Sequence, residues 1–134
     1  MKRRAAREIA FRLTYEMVMT GEFNDDTKED LLTDEHADKE SRDYIESTIA
    51  GIAAHIDELK DVIVKYAKGY ELERIYKTDL AALYVACYEL LFTDTPKAVV
   101  ANEAVEIVKT YSDVQSYAFV NGILASVIKE ASNG

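Results

Sequence analysis

Apolar residues recur at three- and four-residue steps in five segments of the chain. In residues 3–19, Ala6, Ile9, Ala10, Leu13 and Met17 form one stripe. Phe11, Tyr15 and Val18 form a second, on roughly the opposite side. This spacing is helical, and a helix with two apolar faces is buried on both or lends one to a partner. Gly21 is placed to end it. Ile45, Ile49, Ile52, Ile56, Leu59 and Ile63 carry one helical face, with Gly51 or His55 as the point where it divides into two helices. Gly69 and Tyr70-Glu71 read as a connection. Leu80, Leu83, Tyr84, Cys87, Tyr88 and Leu91 then fit the amphipathic template between Asp79 and Phe92, with Thr78 as cap. Val100, Ala104, Ile107, Val108 and Tyr111 define a further helix. Thr95-Pro96 opens it, threonine as cap and proline in the first turn. Ser112-Asp113 interrupt the pattern, and Phe119, Val120, Ile123, Leu124, Val127 and Ile128 resume it. Asn121-Gly122 would mark a turn elsewhere. Apolar residues on both sides keep it helical here, so Gly122 is expected where two helices approach closely.

Five glycines and one proline in 134 residues favour long helices over a turn-rich β fold. The prediction is all-α: one domain over 1–134, with an N-terminal helical subdomain to about residue 70 and a C-terminal one beyond it. No apolar run reaches the roughly 18 residues of a membrane span. The start, Met-Lys-Arg-Arg, is not followed by an uninterrupted apolar core, so no signal peptide is expected. Cys87 falls on an apolar helix face and reads as buried. A single cysteine cannot form an internal disulfide, which fits a reducing cytoplasm.

Net charge changes the picture by its distribution. The chain carries −9, yet residues 1–15 carry +4, from Lys2, Arg3, Arg4, Arg7 and Arg12 against Glu8. The remainder is strongly acidic, densest between Glu22 and Glu46, where Leu31-Leu32 are placed to anchor a short helix and most of the rest reads as solvated surface. Indiscriminate nucleic-acid binding is disfavoured. A local basic site with a confined target, or one helped by a basic partner, is not. Arg4 can pair with Glu8, and Arg12 with Glu8 or Glu16, at helical spacing. Lys2, Arg3 and Arg7 are left unneutralised within the helix. This cluster reads either as a solvated helix start or as an anion site. Cations at a helix N-terminus cost about 0.3–1 kcal/mol each, which an anionic ligand would offset. His36 and His55 stand alone, without a second ligand at metal spacing. No phosphate loop or catalytic triad pattern occurs. The expectation is a protein that is not an enzyme and holds no metal or cofactor.

Three motifs lie in register: Tyr88-Glu89-Leu90, then Asn102-Glu103-Ala104-Val105-Glu106 with Lys109, then Phe119-Val120-Asn121-Gly122. Together they resemble the NusB family of bacterial transcription antitermination factors, from Arg3 to about Ile128 and least well between Gly21 and Arg42. The resemblance implies two small helical bundles packed together, about seven helices in all. It implies binding of single-stranded boxA-type RNA together with the ribosomal protein NusE, within an antitermination complex on RNA polymerase at ribosomal RNA operons. The RNA-binding residues it implies, with the neighbouring Lys2, are Arg3, Arg4 and Arg7, then Gln115, Ser116 and Phe119. Arginines would meet phosphates, Gln115 and Ser116 base edges, and Phe119 a base face. Core packing is the alternative for Phe119. Tyr15 and Asp79 would contact NusE, with core again the alternative for Tyr15. The chain departs from the family pattern at Arg12, Tyr84, Ala98 and Gln115, which bears on RNA affinity and sequence preference. Gln115 removes a negative charge near the implied RNA.

The competing reading is a helical protein–protein module, or a homodimer, without RNA binding. An acidic body and a two-faced first helix suit it. Salt-dependent RNA binding separates the two.

Overall fold

The structure is a computed structural model that describes residues 1–133. It is helical throughout those residues. The helices are α1 (Arg3–Thr20), α2 (Asp25–Asp34), α3 (Lys39–Ala54), α4 (Ile56–Tyr66), α5 (Lys77–Phe92), α6 (Lys97–Tyr111) and α7 (Val114–Asn133), with a 3₁₀ turn at Leu72–Arg74 before α5. Gly21 ends α1 in the left-handed region at φ 99°, its N–H donating to the Met17 carbonyl. Side chains cap α2 and α3: Asn24 accepts from the Thr27 N–H and Asp38 from the Ser41 N–H, which satisfies donors the helix leaves free. The break between α3 and α4 falls at His55. Its ring stacks on Phe92 at 3.9 Å and its Nδ1 meets Glu58 at 2.9 Å.

Buried apolar residues form two cores. The smaller joins Ala6, Ile9 and Leu13 of α1 to Leu32, Ile45 and Ile49. The larger surrounds α5, whose residues from Asp79 to Cys87 are all buried. A helix covered on every side belongs at the centre of a bundle, and α5 packs against α1, α3, α4, α6 and α7. Both stripes of α1 are used. One enters the smaller core, while Phe11, with Tyr15, Met17 and Val18, packs on the larger. Along α3, Ile45 and Ile49 enter the smaller core and Ile52 the larger, which α4 joins. Cys87 is buried, and burial pushes its thiol up to about 12.

Three local expectations are corrected. Thr78 does not cap α5; it lies inside the helix, with its hydroxyl 2.8 Å from that of Ser112. Thr95 does not cap α6, which begins at Lys97 after Pro96 without a side-chain cap. Thr95 bonds to Thr93 instead. Gly122 is within α7 as expected, but a Cβ there would meet nothing within 4 Å. The close approach is at Gly51 in α3, where a Cβ would stand 2.2 Å from the ring of Tyr88.

The two glycines therefore differ in their tolerance of alanine. Gly51→Ala drives the Tyr88 ring aside and is expected to cost about 1–3 kcal/mol, as overpacking does. Gly122→Ala is expected to be stabilising by roughly 0.5–1 kcal/mol, since it removes glycine from a helix interior with open space beside it. Thermal melts of the two variants test this. Equal shifts would contradict the packing difference.

Candidate nucleic-acid interface

The start of α1 sorts its cations into different states. Arg7 is buried, 5 % exposed, and forms a two-pronged pair with Glu89 of α5. Its Nε donates to Oε2 at 2.7 Å and its Nη2 to Oε1 at 3.0 Å. Tyr44 of α3 donates its hydroxyl to the same Oε1 at 3.1 Å. Burial is the largest influence and disfavours the Arg7 charge, but the Glu89 hydrogen bonds and the electrostatic interactions with Tyr44, Glu89 and Glu103 together outweigh it and raise the guanidinium above its ordinary value. Burial likewise pushes the Tyr44 phenol well above its ordinary value. Arg7 is thus a structural residue, not a free phosphate contact: its charge is spent on an acid 82 positions away.

Arg3 lies above the Tyr44 ring, 4.2 Å from its centroid, with a loose 3.5 Å pair to Glu40. Its side chain is 44 % exposed, so its charge faces outward. Arg4 pairs with Glu103 of α6 through two hydrogen bonds of 2.9 and 3.0 Å, not with Glu8. Glu8 takes the Tyr111 hydroxyl, and Glu16 accepts from Thr27 at 3.0 Å. Arg12 is exposed and, among the described residues, pairs with neither. Lys2 is exposed as well. The outward cations are therefore Lys2, Arg3 and Arg12, with Arg4 exposed but paired.

The second group forms where α6 passes into α7. Asp113 accepts from the Ser116 N–H at 3.0 Å and so caps α7. Ser116 is buried, and its hydroxyl donates to Asp79 Oδ2 at 2.9 Å; Ser112 donates to Oδ1 at 3.3 Å. Asp79 is itself 2 % exposed. Burial pushes its carboxyl up, and the two serine hydroxyls oppose that shift. Asp79 is thus not an exposed partner contact but the anchor of the α6–α7 joint, and the Ser116 hydroxyl is already committed. Gln115 is exposed, and Phe119 is half-buried with its ring edge-on to Tyr70 at 5.1 Å. Asp79, Gln115, Ser116 and Phe119 line one recess, which Tyr70, Arg74, Ile75 and Tyr76 complete. Sequence periodicity missed the last four because they lie in a connection without a repeating pattern.

Tyr15 is half-buried and stacks on Phe11 at 6.5 Å. Tyr84 is core, 2 % exposed, with its phenol pushed up to about 12 by burial. Ala98 is exposed. Among the described residues, no group of three or more His, Cys, Asp or Glu is placed to hold a metal ion, and no helix is long and apolar enough to cross a membrane.

Fold and surface define an all-helical bundle protein with a basic helix start and an aromatic-edged recess at a second helix joint. The NusB family model matches residues 4–129. The chain is 37 % identical over 134 residues to the transcription antitermination protein NusB of Finegoldia magna, covering 99 % of this chain and 98 % of that one. It is 38 % identical over 130 residues to that of Acetivibrio thermocellus, covering 96 % and 90 %. Among solved structures, NusB of T. maritima superposes with a TM-score of 0.89 at 33 % identity, over 97 % of this chain and 92 % of that one. A chain from the structure of antitermination factors NusB and NusE in complex with dsRNA superposes with a TM-score of 0.85 at 26 % identity, over 96 % of each. The chain belongs to the NusB family.

Removing one member of the buried pair strands the other. Arg7→Met is expected to cost about 3–5 kcal/mol, because Glu89 is left charged and buried. Arg7→Met combined with Glu89→Leu should recover most of that loss. Urea unfolding of both variants checks this; a single variant as stable as the parent would contradict the pairing.

Proposed function

We propose that this chain is a transcription antitermination factor that binds single-stranded boxA-type RNA. It does so together with NusE, a small ribosomal-subunit protein, in the RNA polymerase antitermination complex at ribosomal RNA operons. This is a cytoplasmic role. The observation that carries the reading is the division of labour among the N-terminal cations in a chain of this family. Arg7 and Arg4 are tied to acids of α5 and α6, while Lys2, Arg3 and Arg12 face outward on an otherwise acidic body. A fixed basic edge meets phosphates, and the Gln115–Phe119 turn of α7 meets bases. Ten residues of α5 separate Glu89, under the basic edge, from Asp79, under the recess. That is about 15 Å of helix, so a ligand that reaches both ends is a strand of several nucleotides rather than one. Tyr15 is the proposed NusE contact that keeps an accessible edge. Asp79 acts there only through the joint it holds. The acidic body favours encounter with a basic partner.

Lys2→Glu with Arg3→Glu is expected to weaken RNA binding strongly and leave the fold intact, since exposed substitutions shift stability by only about 0.5 kcal/mol. The slope of log affinity against log salt should flatten by roughly 0.7 for each lost phosphate contact. NusE should still bind. Titrations of RNA and of NusE across a salt series test this. Unchanged RNA affinity, with NusE bound normally, would return the module or homodimer reading.

A further inference from the structure

On a chain of net charge −9, an outward cation has carboxylates within reach, and a cation that pairs with one presents less field to a phosphate. Two arginines at the start of α1 are paired in this way, Arg7 with Glu89 and Arg4 with Glu103. Arg3 is held differently. Its guanidinium carbon lies 4.2 Å from the centroid of the Tyr44 ring, and its ion pair with the exposed Glu40 is loose at 3.5 Å. An exposed pair of that kind contributes little. A ring face attracts a cation through its quadrupole. It carries no net charge, so it holds the guanidinium without cancelling its field.

The ring is itself fixed. Tyr44 is half-buried and packs against the smaller core. Its hydroxyl donates to Glu89 Oε1 at 3.1 Å, and the Arg7 guanidinium carbon lies 5.7 Å from the same centroid. The platform is thus fastened to α5 through Glu89 and to α3 through its own backbone. An arginine on a flexible stem spends only part of its time aimed at one phosphate, and apparent affinity falls by that fraction. The start of α3 offers Asp38, Glu40 and Asp43 as competing destinations. A fixed ring raises the competent fraction before RNA arrives.

We propose that Tyr44 is a positioning residue for RNA binding: its ring holds Arg3 aimed at a phosphate and away from the acids of α3, without touching the RNA itself. The proposal rests on the RNA reading above and adds to it a residue of α3 that acts only through Arg3.

The test is a titration with a short boxA-type single-stranded RNA, NusE present, across a salt series. Tyr44→Leu is expected to weaken RNA binding about fivefold, the equivalent of one half-exposed cation–π contact. The slope of log affinity against log salt should flatten by up to about 0.7, one phosphate contact. Tyr44→Phe keeps the ring and should restore binding to within about twofold of the parent. In an Arg3→Gln background, Tyr44→Leu should cause no further loss, because the two residues act as one unit. Equal losses in both backgrounds would show a purely structural role and overturn the proposal. So would parent-like binding by Tyr44→Leu. Tyr44→Phe as weak as Tyr44→Leu would move the effect to the hydroxyl on Glu89 and overturn the ring. Glu40→Gln should bind RNA as well as the parent or better, since a competing acid is gone; a loss there assigns the aim of Arg3 to the ion pair instead. If Tyr44→Leu fails to fold by circular dichroism, pentafluorophenylalanine in place of Tyr44 decides. It keeps the shape of phenylalanine while removing the negative ring face, and it should bind about fivefold more weakly than Tyr44→Phe; equal binding overturns the platform. No RNA binding by the parent, alone or with NusE, overturns the function itself.

Discussion

The buried pair between Arg7 and Glu89 is the constraint on which the arrangement of α1 depends. Both side chains are nearly fully removed from solvent, Arg7 Nε and Nη2 meet the two Glu89 oxygens, and Tyr44 adds a third hydrogen bond from α3. Desolvating two charges offsets most of their attraction, so such a pair adds little net stability. What it adds is selectivity among packings. Sliding α1 along α5 by one turn would leave a guanidinium and a carboxylate buried apart, which costs several kcal/mol. Apolar stripes alone would tolerate that slip, since Ala6, Ala10, Leu13 and Met17 repeat at nearly the same spacing. The ion pair fixes the register that hydrophobic contact leaves loose.

That register then determines which cations face outward. Arg7 turned inward puts Arg3 four residues earlier on the same edge, above the Tyr44 ring. Tyr44 is held by Glu89, so the surface arginine rests on a fixed aromatic platform rather than on solvent. Arg4 is held in turn by Glu103. The two acids belong to Tyr88-Glu89-Leu90 and Asn102-Glu103, motifs that carry the family resemblance. Their common physical content is that each anchors one arginine of α1.

The sequence was legible wherever the argument needed only neighbours along one helix. The helices other than α2, the Gly21 terminus and the buried Cys87 follow from spacing and from local backbone chemistry, and the α3–α4 break falls at His55, one of the two candidates. Thr78 and Thr95 failed as caps because a threonine near a helix start can equally bond elsewhere, and here tertiary partners took them. Gly122 and Gly51 were exchanged for a similar reason: which glycine faces a ring depends on the helix opposite. Arg7 looked free because only i±4 partners are visible in a helix, whereas Glu89 lies in another helix. Asp79 and Ser116 entered as contacts implied by the family resemblance, yet both are buried. Their burial is mutual, and neither residue alone announces it. Arg12 erred in the opposite direction, since both acids within its reach were taken by other groups.

Two buried acids on α5 therefore set the two ends of the proposed interface. Glu89 holds the start of α1, and Asp79 holds the start of α7. At 100° per residue their ten-residue separation turns about 80° short of three full circles, so they face neighbouring sides of the same helix. α1 and α7 each pack on α5 along those sides. α5 is covered all round by apolar contacts and has little freedom to bend. The distance between the basic edge and the recess is thus a property of one rigid helix, not of the surface residues that would touch a ligand. A strand that engages both ends meets a spacing already fixed before it arrives, which spares the ordering cost of assembling the site on binding.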